Sequence, residues 1–238
     1  MTKLILSIVT IVGLGSSLYA GGKLVEPPIV PPKQIISDTW SGGYIGLQAG
    51  YIKGYGDVTG NYYYSPADGV LEDRNNFLKE TRYSPDGFIG GLYLGYNKKF
   101  ANNFLLGIEA AANYTKIDEK KDFFTLKQKN DFALYLKAGS VINDTFMPYV
   151  LAGATWTKLE GRYNYKFINL TDSDTVAGWT VGAGLEYKIS QNWHARLQYR
   201  YSDYKDADLQ MKSGSDVYKF KVKDYHTHSV MAGISYHF

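Results

Sequence analysis

Trp179-Thr180-Val181-Gly182-Ala183-Gly184-Leu185-Glu186-Tyr187-Lys188 is the stretch on which the fold turns. Trp179, Val181, Ala183, Leu185 and Tyr187 occupy one set of alternate positions. Thr180, Gly182, Gly184, Glu186 and Lys188 occupy the other. A period of two sends these sets to opposite faces of a β-strand. Helical spacing would mix them, and the paired glycines would weaken a helix.

The same rhythm recurs on both sides of this segment. Ile45, Leu47, Ala49 and Tyr51 alternate with Tyr44, Gly46, Gln48 and Gly50. Phe88, Gly90, Leu92, Leu94 and Tyr96 share a face, as do Leu106, Ile108, Ala110, Ala112 and Tyr114. Phe132, Leu134, Leu136 and Ala138 oppose Asp131, Tyr135 and Lys137. Ala195, Leu197, Tyr199 and Tyr201 oppose His194, Arg196, Gln198 and Arg200. Val230, Ala232, Ile234, Tyr236 and Phe238 oppose Ser229, Met231, Gly233, Ser235 and His237. Residues 147–159 are apolar on both faces, which leaves that strand without an orientation. With it there are eight segments of about ten residues, the length a tilted strand needs to cross a bilayer.

The connectors alternate in length. Those at 52–87, 116–130, 159–177 and 203–225 are long, and those at 97–103, 143–147 and 189–193 are short. Short turns at one end and long loops at the other describe an eight-stranded antiparallel up-and-down transmembrane β-barrel, an all-β fold. A soluble up-and-down barrel would turn its apolar face inward. The charges decide between the two. Glu109, Lys137, Glu186, Arg196 and Arg200 lie mid-strand on the glycine-rich face, and the other face carries almost none. An interior of eight strands holds only closely packed side chains, so small residues and a few ions belong inside. An Arg facing lipid at mid-depth would cost about 2–4 kcal/mol. Tyr51, Tyr96, Tyr114, Tyr187, Tyr201, Tyr236, Trp193 and Phe238 fall near strand ends on the apolar face, where interfacial girdles form.

Residues 1–20 read as a signal peptide, with Lys3 ahead of the apolar run Leu4–Leu18 and a cut after Ala20. Residues 21–39 contain Glu26-Pro27-Pro28-Ile29-Val30-Pro31-Pro32, a Pro-rich tether of extended form. The barrel then occupies 40–238. A formal net charge of +3 with scattered Lys and Arg gives no basic stripe and hence no nucleic-acid partner. The absence of cysteine excludes disulfides and thiolate chemistry. A mean hydropathy of −0.28 fits a chain in which only alternate strand residues meet lipid.

Trp40-Ser41-Gly42-Gly43-Tyr44-Ile45-Gly46-Leu47-Gln48-Ala49-Gly50-Tyr51 resembles the first strand of the Omp25/Omp31-like and OmpA-like small outer-membrane β-barrel proteins. Leu106-Gly107-Ile108-Glu109 is similar to their third strand and Pro148-Tyr149-Val150 to the start of their fifth. Gly178 to Tyr187, with Asn192-Trp193 and Leu197-Gln198-Tyr199-Arg200-Tyr201, matches best. Gln198 stands where the family usually has Glu, and Lys137 where Arg is common. The resemblance implies an integral bacterial outer-membrane protein with both termini periplasmic, in contact with outer-membrane lipid and lipopolysaccharide. It implies that Tyr236 and Phe238 form the C-terminal signal read by the barrel-assembly machinery. Family members are described as structural envelope proteins, surface antigens, adhesins, haem binders or weak channels. The reading adopted is a structural envelope role with surface loops for contact or adhesion, a host or surface ligand being the partner such loops would meet, against a narrow porin-like diffusion channel.

Glu109 and Glu186 are expected to pair inside the barrel with Lys137, Arg196 and Arg200, as buried charges must. No cofactor is expected. His226 and His228 share a face, but two histidines make an incomplete metal site, to which Asp203, Asp206, Asp208 or Asp216 would have to be added. His228 and Ser229 are strand neighbours and point apart, and no Gly-x-Ser-x-Gly elbow is present, so no enzyme is expected. Tyr62-Tyr63-Tyr64, Asp68–Asp73 and the Lys/Asp mix at 118–130 are read as exposed loops, the usual carriers of recognition.

Overall fold

The computed structural model describes residues 39–64, 72–121, 123–165, 168–213 and 216–238. The signal-peptide and tether readings lie outside these residues apart from Thr39, and so does most of Asp68–Asp73. The strands are β1 (Gly42–Tyr64), β2 (Glu72–Tyr83), β3 (Asp86–Lys99), β4 (Phe104–Lys121), β5 (Phe124–Ser140), β6 (Phe146–Tyr165), β7 (Ile168–Lys188), β8 (Trp193–Tyr204), β9 (Ala207–Ser213) and β10 (Asp216–His237). Eight of them close a ring in the order β1-β3-β4-β5-β6-β7-β8-β10, sealed by β1 against β10. All pairings are antiparallel, so the ring has no free edge along its shared length. β2 and β9 are extra: β2 pairs with the far part of β1 and β9 with the far part of β10.

The apolar face looks outward. Leu47 is 59%, Leu134 54% and Ile234 43% exposed, while Glu186 and Arg196 are buried. Such a surface is stable only against hydrocarbon. The turns at one end are short, with Asn103, Asn143 and Asp144 at positive φ, a conformation that Asn and Asp tolerate. At this short-turn end Trp40 folds under the ring, buried against the His194 ring at 4.5 Å, and its Nε1 donates to Asp144 Oδ1 at 3.1 Å.

The residues that left β6 unoriented take definite sides. Met147, Tyr149, Leu151, Thr155 and Thr157 are buried, and Val150 and Trp156 face outward. Rings this large fit inside because glycines face them. A Cβ on Gly184 would lie 2.5 Å from the Tyr149 ring, and one on Gly46 would lie 2.4 Å from the Tyr93 ring. Glycine in these strands makes the space that the interior tyrosines fill.

The long connectors are corrected in character. Much of 52–64, 72–83, 116–121, 124–130, 159–165 and 168–177 is strand that continues the barrel past its apolar band. Bulges mark the change, between Asn113 and Ile117 on β4, between Gln128 and Asp131 on β5, and where Tyr55 and Asp57 meet β10. Beyond them the polarity of the wall reverses. Val58, Phe124, Leu126, Leu159, Phe220 and Val222 are buried in one cluster, while Thr59, Lys127, Lys158 and Lys221 lie on the outer wall. Water bathes the outside there, so the apolar set turns inward. The 118–130 segment is therefore only half exposed, with Phe124, Leu126 and Gln128 in the core.

Candidate functional site

The interior is most easily followed along β8, whose inward residues climb from the short turns in steps of two. His194 stands lowest. Its Nδ1 lies 2.9 Å from Glu186 Oε1, and His237 Nε2 lies 3.3 Å from the same oxygen. Lys137 Nζ donates to the other oxygen, Oε2, at 2.6 Å. The His194 and His237 rings stack with centroids 3.8 Å apart. Among the described residues these two histidines and Glu186 are the one grouping with metal-ligand proximity. The Lys137 ammonium on the same carboxylate already balances its charge.

Arg196 is the next rung. Its Nη1 donates to Glu109 Oε2 at 2.7 Å and its Nη2 to Gln48 Oε1 at 2.6 Å. The guanidinium lies 3.3 Å from the Tyr93 ring centre, a cation–π contact. Tyr44 donates its hydroxyl to Glu109 Oε2 at 2.8 Å. Above, Gln198 accepts from the Tyr149 hydroxyl at 2.9 Å.

Arg200 is fully buried, and here the pairing differs from expectation. Its partner is neither glutamate but Asp131, with Nη2 donating to Oδ1 at 2.8 Å and Nη1 to the Tyr135 hydroxyl at 2.6 Å. Asn113 donates to the same Oδ1 at 3.0 Å, and Thr155 and Tyr204 each donate to Oδ2 at 3.1 Å. Each of these cations thus meets one carboxylate: Lys137 with Glu186, Arg196 with Glu109, Arg200 with Asp131. Sequence reasoning placed all five named residues on the inner face but missed Asp131, His194 and His237 as members. Alternation puts those three on the same face, but their meeting in space is not written in local pattern. Tyr44→Phe should cost about 1–3 kcal/mol, because Glu109 loses a donor where water is scarce. Urea unfolding of the refolded barrel in lipid vesicles reads this directly.

Above the ions, Ile52, Ile89, Ile117 and Met231 form a small apolar layer. The distal cluster follows, with the Phe124 and Phe220 rings stacked at 4.6 Å and the Tyr225 hydroxyl donating to Gln128 at 2.8 Å. On the outer wall of this distal part Glu160 receives Lys129 at 2.6 Å and Arg162 at 2.7 Å. Burial pushes the Glu160 carboxyl up, but those two donors outweigh it and hold the group below the usual carboxylate range.

His226 and His228 do not assemble with acidic side chains into a metal grouping among the described residues. They lie half-buried on the outer wall among Tyr55, Tyr199 and Tyr201. Tyr236 and Phe238 also face outward at the short-turn end, with ring centres 5.4 Å apart.

The closed ring, its apolar outside and its ionic inside agree with a family comparison. Residues 29–238 match the model of the outer membrane protein beta-barrel domain. The chain belongs to this outer-membrane β-barrel family. Its place is accordingly the outer membrane of a Gram-negative cell, as an integral protein. The outer-membrane barrel is 26% identical over 257 residues to a 31 kDa outer-membrane immunogenic protein of Brucella melitensis, covering all of both chains. It is 26% identical over 216 residues to a 25 kDa outer-membrane immunogenic protein of Brucella canis, covering 90% of this chain and 86% of that one. Among solved structures, Neisserial surface protein A has TM-score 0.47 and 17% identity, covering 83% of this barrel and 98% of its own chain.

Proposed function

We propose that this outer-membrane barrel is a closed structural element of the envelope that presents its long-loop end outside for surface contact or adhesion, with the short turns and both termini in the periplasm. The observation that carries this reading is the filled interior. Three buried ion pairs are stacked beneath an apolar plug. A hydrated ion crossing this interior would have to separate buried pairs and part a packed aromatic cluster. The runner-up, a narrow diffusion channel, needs both to yield. An exposed long-loop end fits the immunogenic outer-membrane proteins of Brucella to which the chain is similar.

The reading includes no catalysis. His228 faces outward, whereas Ser229 is buried on the inner face, so the two cannot act on one substrate. Lipid A from a deletion strain should carry its normal modifications, and a lost modification would overturn this part. Tyr236 and Phe238 are read as the assembly signal, because both are displayed side by side on the lipid-facing wall at the short-turn end of the barrel.

Planar-bilayer recording tests the main claim. Purified barrel should give no steady conductance, and Glu186→Gln should leave that unchanged. Steady, protein-dependent conductance would replace this reading with the channel.

A further inference from the structure

On the outer wall some cations pair with no carboxylate among the described residues. Lys53, Lys116 and Lys158 are exposed and follow the outward aromatics Tyr51, Tyr114 and Trp156 by one outward step. Among the described residues, none of them has a carboxylate within 4.0 Å, in contrast to Lys137, Arg196 and Arg200 in the lumen. All three lie where the wall leaves the apolar band, open to counter-charges from the surroundings.

One sector of this boundary is built more elaborately than the rest. Lys53 pairs across the sheet with His228, Tyr55 with His226, and His228 in turn with Tyr201. The four side chains beside Lys53 pack as a plate. Tyr55 stacks on His226 at 5.4 Å and meets His228 edge-on at 5.9 Å, and Tyr201 meets His228 edge-on at 5.2 Å. Lys53 Nζ lies 5.4 Å from the Tyr55 ring centre. The neighbouring acids are engaged elsewhere: Asp86, opposite Lys53, takes the Tyr51 hydroxyl, and Asp203, opposite His226, takes the Tyr201 hydroxyl. His226 Nδ1 donates to the Asp224 carbonyl at 2.9 Å, and His228 Nδ1 meets the Tyr199 hydroxyl at 2.7 Å. Both ring orientations are thereby fixed with the Nε2 atoms unused by these bonds. Asp224 holds a φ of 50° at the bulge that sets this turn of the wall.

The geometry points to a seat for the phosphate of a phosphorylated glycolipid of the lipopolysaccharide type, formed on the outer wall by Lys53 and His228, with His226 packed beside them. The Lys53 ammonium suits a phosphate, which is strongly anionic and rich in acceptor oxygens, and His228 adds an Nε2–H donor in the tautomer whose Nδ1 accepts the Tyr199 hydroxyl. The position selects a lipid. The wall below the seat is apolar, with Tyr51, Ala49 and Val230 for acyl chains, while the headgroup boundary begins at Lys53. A soluble phosphate would gain the polar half of this arrangement only. The seat rests on the proposed outward direction of the long-loop end, because such a glycolipid occupies the outer leaflet.

The test uses the full mature barrel in nanodiscs of zwitterionic phospholipid doped with bisphosphorylated lipid A, dephosphorylated lipid A or phosphatidylglycerol, with co-purifying lipid read by native mass spectrometry. The barrel should retain bisphosphorylated over dephosphorylated lipid A by about tenfold or more. The variant K53Q/H226Q/H228Q should lose that preference, and Lys98→Gln, at the other end of the barrel, should keep it. Heat-modifiable gel migration verifies that each variant is folded. No preference in the unaltered barrel, an unchanged triple variant, equal retention of phosphatidylglycerol, or displacement by millimolar inorganic phosphate would each overturn the seat. Nanodisc binding does not depend on orientation in the cell. Protease accessibility of the long-loop end on intact cells tests orientation by itself, so failure of the two ideas is distinguishable.

Discussion

Asp131→Ala should be among the most damaging single substitutions in this barrel, lowering its stability by about 3–5 kcal/mol. Asp131 gathers four donors: Arg200, Asn113, Thr155 and Tyr204. Alanine would leave the Arg200 guanidinium charged and fully enclosed with only the Tyr135 hydroxyl as partner. The cost is mostly that of the stranded charge, and less that of lost attraction. Asp131→Asn should therefore fall between, since it keeps acceptors and shape while removing the charge. The double variant Asp131→Leu with Arg200→Met should recover part of the loss, because it strands no charge, although the Asn113 and Tyr204 donors lose their acceptor. Urea unfolding in lipid vesicles gives the values. A single alanine variant within about 1 kcal/mol of the unaltered protein would mean that the pair does not hold the barrel together.

Leu134→Arg is the second large effect. Leu134 is 54% exposed on the outer face of β5, between Phe132 and Leu136 and so well inside the apolar band. An arginine there must desolvate into hydrocarbon or thin the bilayer, at about 2–4 kcal/mol. Asn164→Arg supplies the comparison, because Asn164 is exposed on the outer wall of the distal part of β6. That change should stay within about 0.5 kcal/mol. Both substitutions add the same charge to an outward position, so only the solvent differs. Equal stability losses would deny that the band meets lipid.

How far the sequence revealed this molecule follows from its periodicity. β7, β8 and the second half of β10 pair bulky apolar positions with glycine or charge, so their faces are plain from alternation. β6 places Tyr149 and Leu151 inside and Val150 and Trp156 outside, and no polarity contrast separates such sets. The distal half-barrel was hidden for a different reason. Beyond the bulges the apolar residues still alternate, but the outer solvent is water, so the same pattern acquires the opposite meaning. Val58 and Phe220 then point inward, where Leu47 and Ile234 pointed out. Bulges also shift the phase, which made 116–130 and 203–225 look like irregular loops.

The ionic interior was legible as a list and not as a set of pairs. Mid-strand charge on the glycine-rich face singled out Glu109, Lys137, Glu186, Arg196 and Arg200. Which carboxylate meets which cation depends on reach across the closed ring: Arg196 and Glu109 are 87 residues apart, and Arg200 and Asp131 69. Tilt and stagger decide that, and neither is written in local pattern. Asp131 was overlooked because it sits at a bulge, near the end of the recognisable alternation.

The central claim concerns which side of the wall touches hydrocarbon, and the chain is suited to testing it because it has no cysteine of its own. Single cysteines at Leu47, Leu134, Ile234, Gln48 and Thr155 can each carry a fluorophore, with nitroxide-labelled lipid acyl chains as quencher. The account predicts strong quenching at Leu47, Leu134 and Ile234 and little at Gln48 and Thr155, which face the lumen. Strong quenching at Gln48 and Thr155, with the three apolar positions protected, would contradict it.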